Sequence, residues 1–250
     1  MRRLLPPATD AEPVDLAEAY ALPADHPAGR PFVRSDFVVA VDGAVTLEGR
    51  SQGLGGPADR AVFRALRGFA DVVLVGAGTV RAEGYGPVRL DDETQAARRG
   101  RGQPPIPPVA VVTNTLQLDW RSPLFTEAST PTIVICGGAS DERRRRDASE
   151  TAEVITAGDG AQADLAVALA VLADRGMLHV LTEGGPTLHG ELARAGLLDE
   201  LCVTISPMLA GSGAGTTHLL GPHGLPQPAR LRLTNLLEAD DGYLFARYRF

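Results

Sequence analysis

The sequence predicts a three-layer α/β fold on a mostly parallel mixed sheet with antiparallel C-terminal strands. Three observations carry this. Between residues 32 and 195, short apolar runs alternate with segments of helical period, the pattern of parallel strands joined by helical crossovers. Several runs are apolar without interruption, as Val72-Val73-Leu74-Val75 is, and belong to strands covered on both faces. From Leu201 onward, strand patterns follow one another with no helix between them, which points to antiparallel additions at one edge. No internal repeat or linker divides the chain, so residues 31–250 read as a single domain and residues 1–30 as a polar, proline-punctuated arm outside the sheet.

In chain order, residues 15–20 are a short helical candidate within the arm. Residues 32–41 form a buried strand ending at the tight-turn dipeptide Asp42-Gly43, with residues 44–47 as a returning strand. The glycine-rich loop 51–56 leads to Pro57 at a helix N1 position. Residues 58–69 then repeat apolar positions at Ala61, Val62, Ala65, Leu66 and Phe69. The strand 71–75 closes at Gly76-Ala77-Gly78-Thr79, where another helical turn begins. Residues 84–108 are the most irregular stretch, ending in Pro104-Pro105-Ile106-Pro107-Pro108, and a connection of that length is expected to be functional or mobile. Strands follow at 109–113 and 131–136, a charged helix at 140–148 and a short strand at 153–155. An amphipathic helix over 164–175 stops at Gly176. The strand 178–182, the loop Glu183-Gly184-Gly185 and a helix over 186–195 precede the tail strands 201–205, 230–238 and 243–250.

Composition narrows the function classes. The 250 residues carry a formal charge of −7, which argues against nucleic-acid binding through a net basic field. Two cysteines, Cys136 and Cys202, make no disulfide framework and suit a reducing compartment. No apolar run reaches the ~18 residues of a membrane span, and the start has no apolar signal-peptide core, so a cytoplasmic protein is expected. The five histidines lack ligand spacing with cysteines or carboxylates, so no metal site is expected. Glycine and proline are in excess, 28 and 19 residues, which marks turns and close backbone approaches.

The strongest chemical signal is a pair of strand–glycine–helix junctions, Val75-Gly76-Ala77-Gly78-Thr79 and Thr182-Glu183-Gly184-Gly185-Pro186-Thr187. In an open α/β sheet ligands sit beyond the C-terminal ends of the strands. Glycines there let backbone approach a phosphate, and free helix-start N–H groups favour its charge. Neither junction is a Rossmann fingerprint, because Arg81 stands at the third glycine position. Gly49-Arg50-Ser51-Gln52-Gly53 matches the G-x-S-x-G nucleophile elbow and keeps a serine hydrolase using Ser51 as a distant alternative. Its context is wrong, since Gly53-Leu54-Gly55-Gly56-Pro57 cannot begin a helix at once. Asp42, Arg60, Glu83 and Arg89 lie beside glycine loops. Arg60, at a helix start where a cation gains nothing from the dipole, suggests an anion nearby.

From about Phe32 to Phe250 the sequence resembles the reductase domain of bacterial riboflavin biosynthesis, a pyrimidine reductase family with a dihydrofolate-reductase-like fold, and is most similar to its stand-alone actinobacterial branch. The resemblance rests on Val39-Ala40-Val41-Asp42-Gly43, Ser51 with Pro57-Ala58-Asp59-Arg60, and the run from Asp71 through Gly76, Gly78 and Thr79 to Glu83. It also rests on Leu181-Thr182-Glu183-Gly184-Gly185-Pro186-Thr187-Leu188, Leu198-Asp199-Glu200-Leu201 and Ser206-Pro207.

The resemblance implies an NADPH-dependent oxidoreductase of the 5-amino-6-(5-phosphoribosylamino)uracil reductase type. Gly76, Gly78, Thr79, Thr113, Glu183, Gly184, Gly185, Pro186, Thr187 and Leu188 would bind the cofactor, with Thr113 near the 2′-phosphate. Asp42, Ser51, Arg60 and Arg89 would bind a phosphorylated substrate, and Glu83 with Asp42 would be catalytic. Arginine suits a sugar phosphate because its planar fork meets phosphate oxygens bidentately. A homodimer is also implied, with the strand-rich tail offering an edge for pairing.

Two departures from the family pattern stand out. Glu83 replaces its usual aspartate and Gly84-Tyr85 replaces Asp-Pro, which keeps a same-fold paralogue reducing dihydrofolate or a related pteridine or pyrimidine as the near alternative. The H-x-E…P-C-x-x-C zinc signature of the deaminase domain that often precedes this reductase does not occur in the sequence.

Overall fold

The structure is a computed structural model that describes residues 1–6, 14–23, 27–211, 217–221 and 224–250. His26 and His223 lie outside the described residues. The elements run β1 (Arg2–Leu5), α1 (Leu16–Ala19), β2 (Phe32–Ala40), α2 (Pro57–Phe69), β3 (Val72–Gly76), α3 (Ala77–Glu83) and α4 (Asp92–Gly100). They continue with β4 (Val109–Val112), α5 (Pro123–Thr126), β5 (Ile133–Cys136), α6 (Glu142–Ser149), β6 (Glu153–Thr156) and α7 (Leu165–Asp174). Last come β7 (His179–Thr182), α8 (Pro186–Arg194), β8 (Glu200–Ser206), β9 (Arg232–Glu238) and β10 (Leu244–Arg249).

One sheet takes the described strands in the order β1-β9-β10-β8-β2-β7-β3-β4-β5-β6. The pairs from β8 through β2, β7, β3, β4 and β5 to β6 are parallel, and β10–β8, β9–β10 and β1–β9 are antiparallel. This is the mixed, mostly parallel sheet that the sequence predicts.

The strand pattern explains the layering. Val73 and Val75 of β3 pack in one core with Val62 and Leu66 of α2, while Val72 and Leu74 pack in another with Leu169 and Leu172 of α7 and Leu192 of α8. Helix α7 starts where the Asp164 side chain accepts the backbone N–H groups of Ala166 and Val167, and Gly176 beyond its end takes the positive φ of 79°.

Three expectations are corrected. Residues 2–5 do not lie outside the sheet: β1 is its edge strand, pairing Arg2 with Glu238 and Arg3 with Leu237. Of the edge that the tail was expected to offer to a second copy, β1 covers only the Leu236–Glu238 end of β9. Residues 44–47 form no strand; Ala44 and Leu47 make isolated bridges to His218 and Arg50. The stretch 84–108 contains α4, capped by Asp91, which accepts from Thr94 N at 2.7 Å. Helix α4 carries no apolar stripe because its buried contact is Arg98, which donates to Pro104 O at 2.9 Å and to Ala70 O at 2.6 Å. Among the described residues no helix is long and apolar enough to cross a membrane.

Candidate active site

The topology opens a cleft at one place. From β3 the chain proceeds outward through β4, β5 and β6, then returns in β7 between β2 and β3, and leaves the other way through α8 to β8. The connections diverge at the C-terminal ends of β3 and β7, where an open sheet parts into a crevice. Strand lengths widen it. Residues 32–35 of β2 pair with β7, but 36–40 pair with β8 alone, so β2 projects past the end of β7 with one edge free. The resulting cavity has a volume of about 750 Å³.

One wall is backbone. Helices α3 and α8 start there on Gly76 and Gly185, neither with a side-chain cap. Gly76 N donates to Gly184 O at 2.7 Å, joining the two junctions. Gly184 has a φ of 86°, and a Cβ on it would lie 2.8 Å from the Phe37 ring. A Cβ on Gly185 would run into the Thr79 hydroxyl. Behind this wall Phe37 meets the ring of His189 with centroids 4.7 Å apart. His189 is buried, which drives its pKa down to about 4, and its Nδ1 bonds Leu219 O at 3.0 Å. Since a carbonyl only accepts, the neutral ring carries its proton on Nδ1.

The floor is charged. Arg67 of α2 donates to both oxygens of Glu183, at 2.7 and 2.8 Å, and to the Tyr85 hydroxyl at 2.9 Å, while Tyr85 donates in turn to Glu183. The guanidinium also lies 4.1 Å from the Phe63 ring centroid. Burial, then the Glu183 carboxylate, raises the Tyr85 pKa well above its ordinary value. Against the pull of burial, Glu183 and Tyr85 also raise that of Arg67. Both therefore hold their protons throughout the physiological range.

Asp36 and Asp59 also line the cleft. Burial and then the Asp59 and Glu183 carboxylates push the Asp36 pKa well above its ordinary value, against Arg67 and Arg34. Burial raises Asp59 as well, opposed by a hydrogen bond from the Thr204 hydroxyl and by Arg60.

Of the sequence-predicted residues, Gly76, Gly78, Thr79, Glu183, Gly185, Pro186, Thr187, Leu188, Ser51, Arg60 and Glu83 line this one cavity. Ser51 is joined to Glu83 by its backbone, donating to the carboxylate at 2.7 Å. No histidine is among the described residues lining the cleft.

Four predicted residues lie elsewhere. Asp42 is exposed on the turn after β2, where it accepts from Gly211 N at 2.7 Å and Ala210 N at 3.1 Å, bonds that lower its pKa. Arg89 points outward and pairs with Glu127 at 2.8 Å. Thr113 is buried and its hydroxyl accepts from Leu116 N at 3.0 Å, tying down the turn after β4. Gly184 supports the wall from behind. Glu183 lines the cleft, but both its oxygens already have donors.

Asp36, Asp59, Arg67 and Tyr85 were not predicted as site residues. A carboxylate within the apolar strand 32–41 was the available signal for Asp36, because an acid inside such a run needs a reason to be there.

Comparison with known proteins bears on this geometry. The family described as RibD C-terminal domain matches residues 31–245. The chain is 28% identical over 200 residues to the 2,5-diamino-6-ribosylamino-4(3H)-pyrimidinone 5′-phosphate reductase of Methanothermobacter thermautotrophicus, an alignment covering 80% of this chain and 88% of that protein. It is 27% identical to the riboflavin biosynthesis protein RibD of Bacillus amyloliquefaciens, covering 73% of this chain and 47% of that longer protein. A solved structure of a pyrimidine reductase-like protein from Corynebacterium diphtheriae superimposes with a TM-score of 0.81 at 29% identity, covering 94% of this chain and 98% of that one.

Proposed function

We propose, from the premise that the chain belongs to the RibD C-terminal domain family, that it is an NADPH-dependent reductase of a phosphorylated ribosylaminopyrimidine. One observation carries the reading. A single cavity joins an uncapped, glycine-lined wall to a floor of carboxylates, with the Arg60 guanidinium at its side.

The wall suits a dinucleotide. Gly78 leaves open space where a side chain would stand, and α8 begins on Gly185 with its first N–H groups free of a side-chain cap. Such a helix start favours a phosphate, and the Thr79 and Thr187 hydroxyls stand beside it. When bound, the dihydronicotinamide supplies a hydride to C1′ of the ribosylamino group in its open imine form.

The chain's own residues orient and polarise. Arg60 lines the cleft, is exposed, and forms no salt bridge among the described residues, so its fork is free for the sugar phosphate. The Glu83 carboxylate stabilises the cationic, protonated imine, while its bond from Ser51 N fixes it in place. The Arg67–Glu183–Tyr85 cluster holds β7, α2 and the segment after α3 at fixed spacing.

The reading is tested by titrating the protein with NADPH and NADH and following nicotinamide fluorescence. Saturable NADPH binding, tighter than NADH, is expected; no saturable NADPH binding overturns the reading. Turnover of the ribosylaminopyrimidine phosphate beside dihydrofolate then separates this substrate from the pteridine alternative.

A further inference from the structure

Reducing a ribosylamine to its open ribityl form takes up one hydride and one proton. The C1′–O4′ bond breaks, and its electron pair takes the proton to become the 4′-hydroxyl. The nitrogen lone pair closes onto C1′ as a cationic imine, and the hydride then ends on C1′. An acid held at O4′ speeds the first of these steps.

Few groups in the cleft suit that task. Arg67 and Tyr85, whose pKa values are raised, hold their protons too tightly. Both Glu183 oxygens already have donors. Glu83 accepts the Ser51 N–H and, in the reading above, faces the cationic imine. Asp36 stands at the strand ends near Glu183, on the first residue of β2 beyond the ladder to β7. Asp59 is placed differently. It shares the first turn of α2 with Arg60, the next residue in the chain, and both line the cleft. An acid one residue from the arginine that meets the sugar phosphate stands on the sugar's side of the cleft.

The surroundings of Asp59 suit a group that gives up a proton and takes it back. Its carboxyl group fits against Gly55, where a Cβ would run into Oδ2. Burial raises its pKa above the ordinary value and so favours the protonated form, while the Thr204 hydroxyl of β8 and the Arg60 guanidinium oppose that rise and stabilise the carboxylate left behind. The hydroxyl serves both states, since it accepts from the acid or donates to the carboxylate. The Asp36 carboxyl group of β2 is the other acid close to it.

We propose that Asp59 is the general acid of this site, delivering its proton to O4′ as the C1′–O4′ bond breaks and recovering one from solvent after each turnover. The inference rests on the reductase reading above and adds a catalytic group to it. Arg60 holds the phosphate, Glu83 steadies the cation and Asp59 serves the leaving oxygen, so the three charges act at three different places on the substrate.

Two measurements on the whole chain test this. The first is steady-state turnover against pH, with whichever of 2,5-diamino-6-ribosylamino-4(3H)-pyrimidinone 5′-phosphate and 5-amino-6-(5-phosphoribosylamino)uracil reacts faster. The wild-type kcat should fall on the alkaline side, where Asp59 has lost its proton. Asp59→Asn should lower kcat about 100-fold or more, abolish that alkaline limb and leave KM and NADPH affinity in place. Asp59→Glu should recover part of the rate together with the limb. A wild-type profile without an alkaline limb, a limb that survives in D59N, a kcat within about tenfold of wild type, or a raised KM at unchanged kcat overturns the proposal.

The second measurement needs no hydride. In the protein–NADP⁺ complex, ring opening and closing exchanges the α and β anomers of the ribosylamine, which NMR exchange spectroscopy follows. The wild-type chain should accelerate this exchange and D59N should not; equal rates in the two overturn the proposal. Asp59-dependent exchange without NADPH oxidation sinks the reductase reading and leaves the acid standing. Turnover that is indifferent to Asp59 does the reverse, and the absence of both exchange and turnover overturns both.

Discussion

Along the α3–α8 wall the cleft exposes glycine backbone and uncapped helix starts, whereas along the β2–α2 floor it exposes Asp36, Asp59, Arg67 and Glu183, which bias one another's ionisation. The wall depends on what is missing, namely side chains, and each of its junctions is local in sequence. The floor depends on what converges, since its members come from β2, α2, the loop after β7 and the segment after α3. A change in the floor should therefore be felt in stability first, and a change in the wall in ligand affinity first.

The largest expected effect is in the floor. Arg67→Met leaves the Glu183 carboxylate, only 5% exposed, without its guanidinium. Breaking one side of a buried pair costs about 3–5 kcal/mol. Urea unfolding should show a loss of that size; a change below about 1 kcal/mol, typical of an exposed pair, would show that the floor is not a stabilising network.

Next comes the packing behind the wall. The His189 pKa is depressed from 6.5 to about 4 in the folded chain, so the unfolded imidazole takes up a proton that the folded one refuses. Stability is complete above pH 6.5 and falls as the pH drops towards 4, by about 3 kcal/mol from this group. Denaturation midpoints across that range should lose this slope in His189→Asn. An unchanged slope in the variant would assign acid sensitivity to other groups.

The smallest effect belongs to the wall itself. In Gly185→Ala the added methyl meets the Thr79 hydroxyl at the start of α8. NADPH affinity should weaken about tenfold, or ~1.4 kcal/mol, with a smaller change in unfolding free energy. If stability falls and affinity does not, the two regions do not divide the labour as argued.

The same contrast explains what the sequence reveals. An apolar run followed by glycines and a helical period is a local pattern, so Gly76, Gly78, Thr79 and the Gly185–Leu188 loop are legible in the sequence alone, as is the order of strands and helices. Arg67 gives no such signal, because its partners lie 18 and 116 positions away. Asp42 and Arg89 mislead for the complementary reason: they stand beside glycine turns, but the turns face outward, and backbone N–H groups or Glu127 engage them. Helix α4 is hidden because its buried residue is an arginine that donates to carbonyls through Nε and Nη1, which breaks the rule linking burial to apolar period.

The sheet ends at both sides in short strands, the four residues of β1 and the four of β6. A long unpaired edge is a template on which neighbouring chains can extend a ladder indefinitely; a four-residue one gives little purchase. By laying its first residues along the Leu236–Glu238 end of β9, this chain shortens the unpaired part of that border, a guard against aggregation that acts far from the cleft and independently of the chemistry there.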